Sequence, residues 1–388
     1  MNMFNRLRRA LTVALTLPVV FVGLAINVIL CFASCASPAA FGVLCNGGEW
    51  LDADGHPINA HGGGVLYHKG TYYWYGEHKS DFTTAAMVGI TCYSSKDLRQ
   101  WENNGVVLSV VDSDEADLER GSVMERPKVI YNEATKQFVM WFHLERKGQG
   151  YSAARTAVAV SESPCGPFRY LRSMRVNPNA WPVAMSDEQR ADLMQLNAEN
   201  YKKWWTPQWY AAIEKGLFLK RDLSTGQMAR DMTLFKDDDG KAYHIYSSEE
   251  NMTLHIAELS ADYTTHTGKY VRVAPGGMNE APTIFKYDGT YWMITSGCTG
   301  WNPNAARLFS APSIWGPWTQ HGNPCKGDKA EVTFGAQGTF VLPVQGRKGA
   351  FLFLADVWKP TRPSSSGYLW LPITFAPDGL PMIVKSMK

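Results

Sequence analysis

Five times along this chain an apolar, β-branched run, a turn centred on Gly, Asp or Asn, and an aromatic-rich run follow one another. That repetition limits the fold more than any other feature of the sequence. The units are His61–Gly70 with Thr71–Glu77, Arg126–Asn132 with Gln137–His143, Met232–Gly240 with Ala242–Ser248, Ala281–Gly289 with Thr290–Ser296, and Thr339–Gly346 with Ala350–Asp356. Each reads as a hairpin, because strand-forming residues flank a turn residue. A third strand follows in most units, as in Gly89–Ser95, Ala157–Ser161 and Arg307–Ser310, often ending near Trp101, Gly166–Phe168 or Gly316–Trp318. Repeated antiparallel sheets spaced by about 50–70 residues fit the blades of a propeller. The expected fold is therefore all-β, a five-bladed β-propeller. A β-sandwich is the alternative, but it does not call for repetition of the aromatic second strand.

One interval between units is too long by roughly 40 residues for a blade spacing. Residues 173–228 break the β pattern and are expected to form a helical insertion between blades two and three. Ser186 is placed to cap a helix, with Gln189 completing a capping box ahead of Leu193 and Met194. Thr206 followed by Pro207 starts another helix, which Gly216 stops. The segment is too short to build a large core of its own, so it counts as an insertion in one domain, residues 36–388. Its tryptophans, Trp181, Trp204, Trp205 and Trp209, are expected either to pack it on the propeller or to extend the rim of a pocket.

Residues 1–35 read as an export signal. Arg6, Arg8 and Arg9 precede an apolar run from Ala10 to Ala33, and the segment ends in Phe32-Ala33-Ser34-Cys35-Ala36. A small-small-Cys ending resembles a bacterial lipoprotein cleavage site, with Cys35 as the lipidated residue and a point of membrane attachment. A cleaved signal and an uncleaved anchor are the alternatives, since the run is long enough to span a bilayer. All three deliver the domain outside the cytoplasm, to the periplasm, the outer membrane or the cell surface. Without the three arginines, the 38 basic residues fall to 35 against 36 acidic ones, so the footprint of a nucleic-acid binder is missing. With 45% hydrophobic and 19% charged residues the remainder is a folded globular chain rather than a disordered one. Cys45, Cys92, Cys165, Cys298 and Cys325 are widely spaced and show no CxxC, which points to core thiols, with room for one or two disulfides. No cofactor and no metal site is expected. Asp237-Asp238-Asp239-Gly240 misses the spacing of a calcium loop and reads as a hairpin turn.

In a propeller the innermost strand of every blade runs along the central channel, so residues at one phase of those strands meet on the axis. The positions just before the apolar part of each first strand are polar in all five units: Asn59 and His61, Glu125 and Arg126, Arg230 and Asp231, Glu280, and Gln337. Three carboxylates gathered in one low-dielectric funnel raise the pKa of at least one, which makes a general acid at neutral pH. Glycoside hydrolysis with inversion needs such an acid opposite a group that handles water. Tyr75, Trp141, Trp301 and Trp358 lie near the ends of second strands and offer stacking surfaces for sugar rings. Each site has a plainer reading too. Glu280 also suits a strand start solvated at the rim, Glu125 a structural partner of Arg126 or Lys128, Asp231 a turn carboxylate, and Gln337 a hydrogen-bonding side chain.

Taken together the strings Asn59–Gly64, Tyr73–Glu77, Glu125–Ile130, Met140–His143, Arg230-Asp231, Glu280–Pro282, Thr299–Pro303 and Ala336-Gln337 carry a family likeness. Over approximately residues 47–375 the chain resembles glycoside hydrolase family 43, five-bladed propellers that invert at the anomeric carbon, and within it the exo-β-1,3-galactanase branch. The resemblance implies that Glu280 protonates the departing glycosidic oxygen, that Asp231 orients this acid and raises its pKa, and that Glu125 holds the terminal sugar. Glu77, Arg126, Trp141, Trp301 and Trp358 are then further sugar contacts. Most of the family places an aspartate base at the start of the first blade, whereas Asn59-Ala60-His61 carries no carboxylate. The galactanase branch lacks it as well, and there a glutamine at the Gln337 position takes the water's proton as its imidic acid. His61 is a substitute for that role, or a sugar contact.

The implied activity is an inverting exo-hydrolase that frees galactose from β-1,3-linked galactan such as the arabinogalactan backbone, with the 173–228 insertion closing one end of the pocket. An α-L-arabinofuranosidase or β-xylosidase on the same scaffold is one rival, and a non-catalytic carbohydrate-binding propeller is another. The expected partner is in every case an oligosaccharide or polysaccharide.

Overall fold

The structure, a computed structural model, describes residues 44–114 and 116–385. The export signal and Cys35 lie outside the described residues. Five antiparallel sheets follow the five sequence repeats. Blade one is His61–His68, Thr71–Glu77, Gly89–Ser95 and Glu102–Ser109, and blade two is Val123–Asn132, Gln137–Glu145, Arg155–Ser161 and Arg169–Met174. Blade three is Met232–Lys236, Ala242–Ser248, Thr253–Leu259 and His266–Val273, and blade four is Asn279–Tyr287, Thr290–Gly297, Arg307–Ala311 and Thr319–Gln320. Blade five is Gln337–Pro343, Phe351–Val357, Gly367–Phe375 and Pro381–Val384, with Cys325–Lys326 paired in parallel at its edge. The five first strands touch one another in circular order and the last returns to the first, which closes the expected five-bladed propeller.

Local chemistry explains the hairpins. Lys69-Gly70 joins two strands in register His68 to Thr71, and both turn residues sit at positive φ, 47° and 83°. Asp288-Gly289 repeats this in blade four at 48° and 75°. Two left-handed residues match the twist of a two-residue hairpin, which is why Gly ends each turn. The second strands are interior to their sheets, and their large side chains, Tyr75, Trp141, Tyr246 and Phe353 among them, are buried where blade packs on blade. Such burial stabilises by roughly 1.5–3 kcal/mol per large apolar side chain. All five described cysteines are free thiols, so the disulfides that the sequence leaves room for are not formed among them.

One closure was not visible in the repeats. Cys45–Gly48 pairs antiparallel with Gly367–Phe375, so the chain that precedes blade one completes blade five. Between Met174 and Met232 lies the helical insertion: α1 (Asp187–Gln195), a single tight turn (Ala198–Tyr201), α2 (Pro207–Lys215) and α3 (Leu217–Arg221). Ser186 and Gln189 form the reciprocal capping box at the start of α1, and Thr206 caps α2 through the Trp209 N–H. Gly216, at φ 113°, ends α2 and leads directly into α3. The insertion begins slightly later than its sequence pattern suggests, since residues 173 and 174 still belong to blade two.

Candidate active site

At one mouth of the channel the first strands open with a shared irregularity. Their pairing with the second strand slips between His61 and Gly64, between Glu125 and Lys128, between Glu280 and Thr283, and between Gly338 and Phe340. In three blades the residue after the polar one is left-handed: Gly62 at φ 60°, Arg126 at 57° and Ala281 at 49°. A bulge of this kind bends the strand and re-aims side chains, and bulges gather beside active sites. The amide that each bulge frees is taken by a carboxylate from an adjoining part of the ring. Gly62 N–H donates to Asp356 Oδ2 at 2.6 Å, Arg126 N–H to Glu77 Oε1 at 3.0 Å, and Ala281 N–H to Asp231 Oδ2 at 3.0 Å.

Around these bulges a cavity of about 300 Å³ opens, at the small end of the usual ligand-site range of roughly 300–1,000 Å³. Its walls bring together Glu77, Glu125, Arg126, Asp231, Glu280, Trp301, Gln337 and Trp358, eight of the ten residues to which the family resemblance gives a role, and Arg230 beside them. Glu280 is pushed up to about 7, first by burial and then by the Asp231 charge, against the pull of Arg126, Cys298 and Asn251. Asn251 Nδ2 donates to its Oε1 at 3.0 Å. Glu125 goes the other way. Burial would raise it, but His143, Lys79 and Tyr151 hold it down at about 2. Tyr151 O–H donates to Glu125 Oε1 at 2.9 Å, and His143 Nδ1 lies 3.1 Å from Oε2. His143 also meets Glu145 through Nε2 at 2.9 Å, and although burial opposes it the two carboxylates lift the imidazole to about 9, so it is a cation at neutral pH.

Arg126 ties the floor together. Its Nη2 donates to Asp231 Oδ2 at 2.8 Å and to Gln337 Oε1 at 2.6 Å, and its Nη1 to Gly338 O at 3.3 Å. Below it Lys128 Nζ donates to Gly62 O at 2.9 Å and to Arg126 O at 3.3 Å. These two side chains stand between the pocket and a second cavity, of about 390 Å³, further along the first strands; burial and Arg126 lower Lys128 to about 7. A Cβ on Gly62 would collide with Glu77, and one on Gly64 with Lys128, so the glycine run of blade one makes room for this plug. Gln337 Oε1 also accepts from Trp358 Nε1 at 3.0 Å, while its Nε2 donates to Ser296 Oγ at 3.0 Å. Turning the amide over would set its N–H groups against two donors, so the side chain rests as an amide with a fully engaged oxygen.

Two of the ten residues are elsewhere. His61 is fully buried behind Trp358 and stacked on Tyr368 at 5.0 Å, with neither ring nitrogen hydrogen-bonded and Nδ1 3.8 Å from Asp356 Oδ2. Burial and Lys79 lower it to about 3, which suits neither a base nor a sugar contact. Trp141 is fully buried between blades two and three, where its Nε1 donates to Tyr263 O at 2.8 Å. It shares a strand face with His143 but sits two residues deeper, below the pocket. Tyr75 is likewise buried, its hydroxyl on Pro164 O at 2.6 Å. Glu77 reaches the pocket wall, yet one oxygen holds the Arg126 amide and the other is paired with Lys79. Trp301 and Trp358 meet edge to face at 5.6 Å, with Trp301 41% exposed at the rim.

The insertion supplies no residue to the pocket lining, so it does not form the closed end; Arg126 and Lys128 do. Sequence reasoning missed Lys79 and Tyr151. His143 stood at the end of an aromatic strand in register with Glu125, a signal that was available. Glu125, His143 and Asp231 bring possible ligand atoms within 4.8 Å of one another. A protonated imidazole clamped between two carboxylates is an ion-pair partner rather than a metal ligand.

Known proteins give this geometry a context. The sequence profile described as "Glycosyl hydrolases family 43" matches residues 179–381. Among solved structures, the β-1,3-galactosidase BT3683, determined with galactodeoxynojirimycin, is 57% identical with a TM-score of 0.87, covering 89% of this chain and 99% of that one. The exo-β-1,3-galactanase 1,3Gal43A from Clostridium thermocellum is 36% identical with a TM-score of 0.70, over 88% of this chain and 65% of its own length. A curated relative, the β-D-galactofuranosidase xynD of Aspergillus niger, matches at 30% identity over 95 residues, only 27% of that protein. Since the profile spans just over half of the chain and one relative is matched along nearly its whole length, the protein is a glycoside hydrolase belonging to family 43.

Proposed function

We propose that the enzyme is an inverting exo-β-1,3-galactosidase, taking galactose from the non-reducing end of β-1,3-linked galactan. One observation carries this reading: Glu280, pushed up to about 7 beside Asp231, is a protonated acid on the wall of a small pocket with a charged floor. The substrate class is supported by the two structural relatives, both described as acting on β-1,3-linked galactose. A pocket closed beneath admits a chain end and not a chain interior, which favours exo action.

In this mechanism Glu280 gives its proton to the glycosidic oxygen as the bond from C1 breaks and the leaving chain departs as an alcohol. Positive charge grows on the sugar ring, and the Glu125 and Asp231 carboxylates stabilise it. Glu125, fixed by Tyr151 and His143, accepts from a sugar hydroxyl. Water attacks the opposite face of C1 and the β linkage yields α-galactose. Gln337 holds this water through the Nε2 hydrogen not spent on Ser296. Its oxygen, occupied by Arg126 and Trp358, is a poor place for the proton that an imidic acid would carry there. Once the C1–O bond forms, the attached water is strongly acidic and gives up its proton to solvent.

Proton NMR during the first moments of β-1,3-galactotriose hydrolysis, when the only free galactose is the non-reducing-end unit, tests the reading, with α-galactose expected before mutarotation. Appearance of the β anomer, or of internal oligosaccharides or arabinose from arabinogalactan, would overturn it. Glu280→Gln is expected to lower kcat about 10³-fold. The reading extends to location. The basic Arg6, Arg8 and Arg9, the apolar run and Cys35 support an exported, lipid-anchored enzyme. A fatty-acid label should mark the wild-type chain and spare Cys35→Ala; an unlabelled wild type rules out the anchor.

A further inference from the structure

The helical insertion leaves the pocket lining alone but reaches the acid from behind. Its small apolar core, Trp209, Ala212, Ile213, Leu217 and Phe218, closes over Met252, with Met278 packed at its margin. Met252 follows Asn251 directly, and Met278 precedes Glu280 by two positions. Glu249, Glu250 and Asn251, the turn between the second and third strands of blade three, are all left-handed, at φ 52°, 58° and 64°. Three successive side-chain-bearing residues in that region persist only where the surroundings over-determine them.

Both glutamates are held. Glu249 is fully buried and takes Arg272 Nε and Nη2 at 2.7 and 2.8 Å and His255 Nε2 at 2.9 Å. Arg272 in turn donates to Ile213 O and Glu214 O, both at 2.9 Å, at the C-terminal end of α2. Glu250 takes Arg221 Nη1 from α3 at 3.0 Å and Arg230 Nη2 at 2.9 Å. The turn thereby presents Asn251 Nδ2 to Glu280 Oε1 at 3.0 Å. An amide N–H needs an accepting oxygen, so this contact keeps the proton of the acid on Oε2.

We propose that the insertion is the positioning element of the general acid, fixing the Glu249–Asn251 turn and Met278 so that Asn251 holds Glu280 with its proton on the oxygen turned to the substrate. Asn251, Glu250 and Arg221 are positioning residues in this scheme, which rests on Glu280 being the acid. The groups facing Glu280 are Asp231, Arg126, Cys298 and Asn251. Removing the Asn251 donor raises the carboxyl further, so the alkaline limb of activity moves up while turnover falls.

The test compares β-1,3-galactobiose, which needs protonation of its leaving group, with 2,4-dinitrophenyl β-galactoside, which does not. Asn251→Ala, Glu250→Gln and Arg221→Ala are expected to lower kcat on the disaccharide roughly 10- to 100-fold with KM nearly unchanged, and to spare the dinitrophenyl substrate. Asn251→Ala should also shift the alkaline limb upward, and Arg221→Lys should restore most of what Arg221→Ala loses. Equal losses on both substrates, or no loss, would overturn the positioning role. Arg221, at the insertion surface, keeps the test open if the turn variants fail to fold. Should Glu280→Gln itself lose both substrates alike, the acid assignment fails instead. If Glu280→Gln discriminates and the turn variants do not, only the positioning proposal falls.

Discussion

Glu280 and Glu125 share one pocket wall and are driven apart by what surrounds them. Burial and the Asp231 charge leave Glu280 near 7, whereas His143, Lys79 and Tyr151 overcome burial at Glu125 and leave it near 2. Two similar carboxyls therefore hold different protonation states across the working range, the pattern by which an acid and a charge stabiliser are told apart. The acid must carry its proton, so kcat/KM on β-1,3-galactobiose should fall as pH rises through about 7. Asp231→Asn removes the like charge that raises Glu280, so the descending limb should move to lower pH and activity should drop roughly 10²-fold. A limb that stays in place would separate Asp231 from the acid. The same substitution logic runs opposite at Asn251, whose loss moves the limb up. The residue types at these positions were legible in the sequence because each begins a first strand of the repeat. The states they adopt were not, because the Asp231 charge and the Asn251 donor that act on Glu280 come from blade three and the Lys79 charge that acts on Glu125 from blade one; only His143 and Tyr151 belong to Glu125's own blade.

Strands, turns and helix caps were legible for a plain reason: they are decided within a few residues. Lys69-Gly70, Asp288-Gly289, the Ser186–Gln189 capping box and Thr206-Pro207 all fold as their local chemistry directs. The bulges at Gly62, Arg126 and Ala281 were not legible, since two of those three residues carry side chains that normally avoid a left-handed backbone. Each is held by a carboxylate remote in sequence: Asp356 for Gly62, Glu77 for Arg126 and Asp231 for Ala281. Glu77 is accordingly a support for the strand that carries Glu125 more than a free sugar ligand. The tryptophans divide by the same physics. Trp141 and Tyr75 sit within second strands covered on both faces, while Trp358 lies just past the end of its strand and Trp301 in the loop between the second and third strands of blade four. Alternation along a strand cannot tell those places apart. The insertion misled for a similar reason, as its helices were readable but their docking against Met252 and Met278 was not.

The ring as a whole is closed by Cys45–Gly48, a short segment of weak strand propensity that earns its place only by pairing with Gly367–Phe375. Without it, blade five would present an unpaired edge where Tyr368 to Trp370 now find partners. A chain beginning at Glu49 is therefore expected to melt about 5 °C below one beginning at Leu44. An unchanged melting temperature would mean that the other blade contacts suffice. The axis beneath the pocket is no passage either, because Arg126 and Lys128 stopper it. For an enzyme that trims chain ends, arrival and departure then use one doorway. A freed monosaccharide is trapped behind the polymer it came from until that polymer withdraws. Each cut thus ends an encounter, and long galactans should shorten together as a population rather than being consumed one molecule at a time.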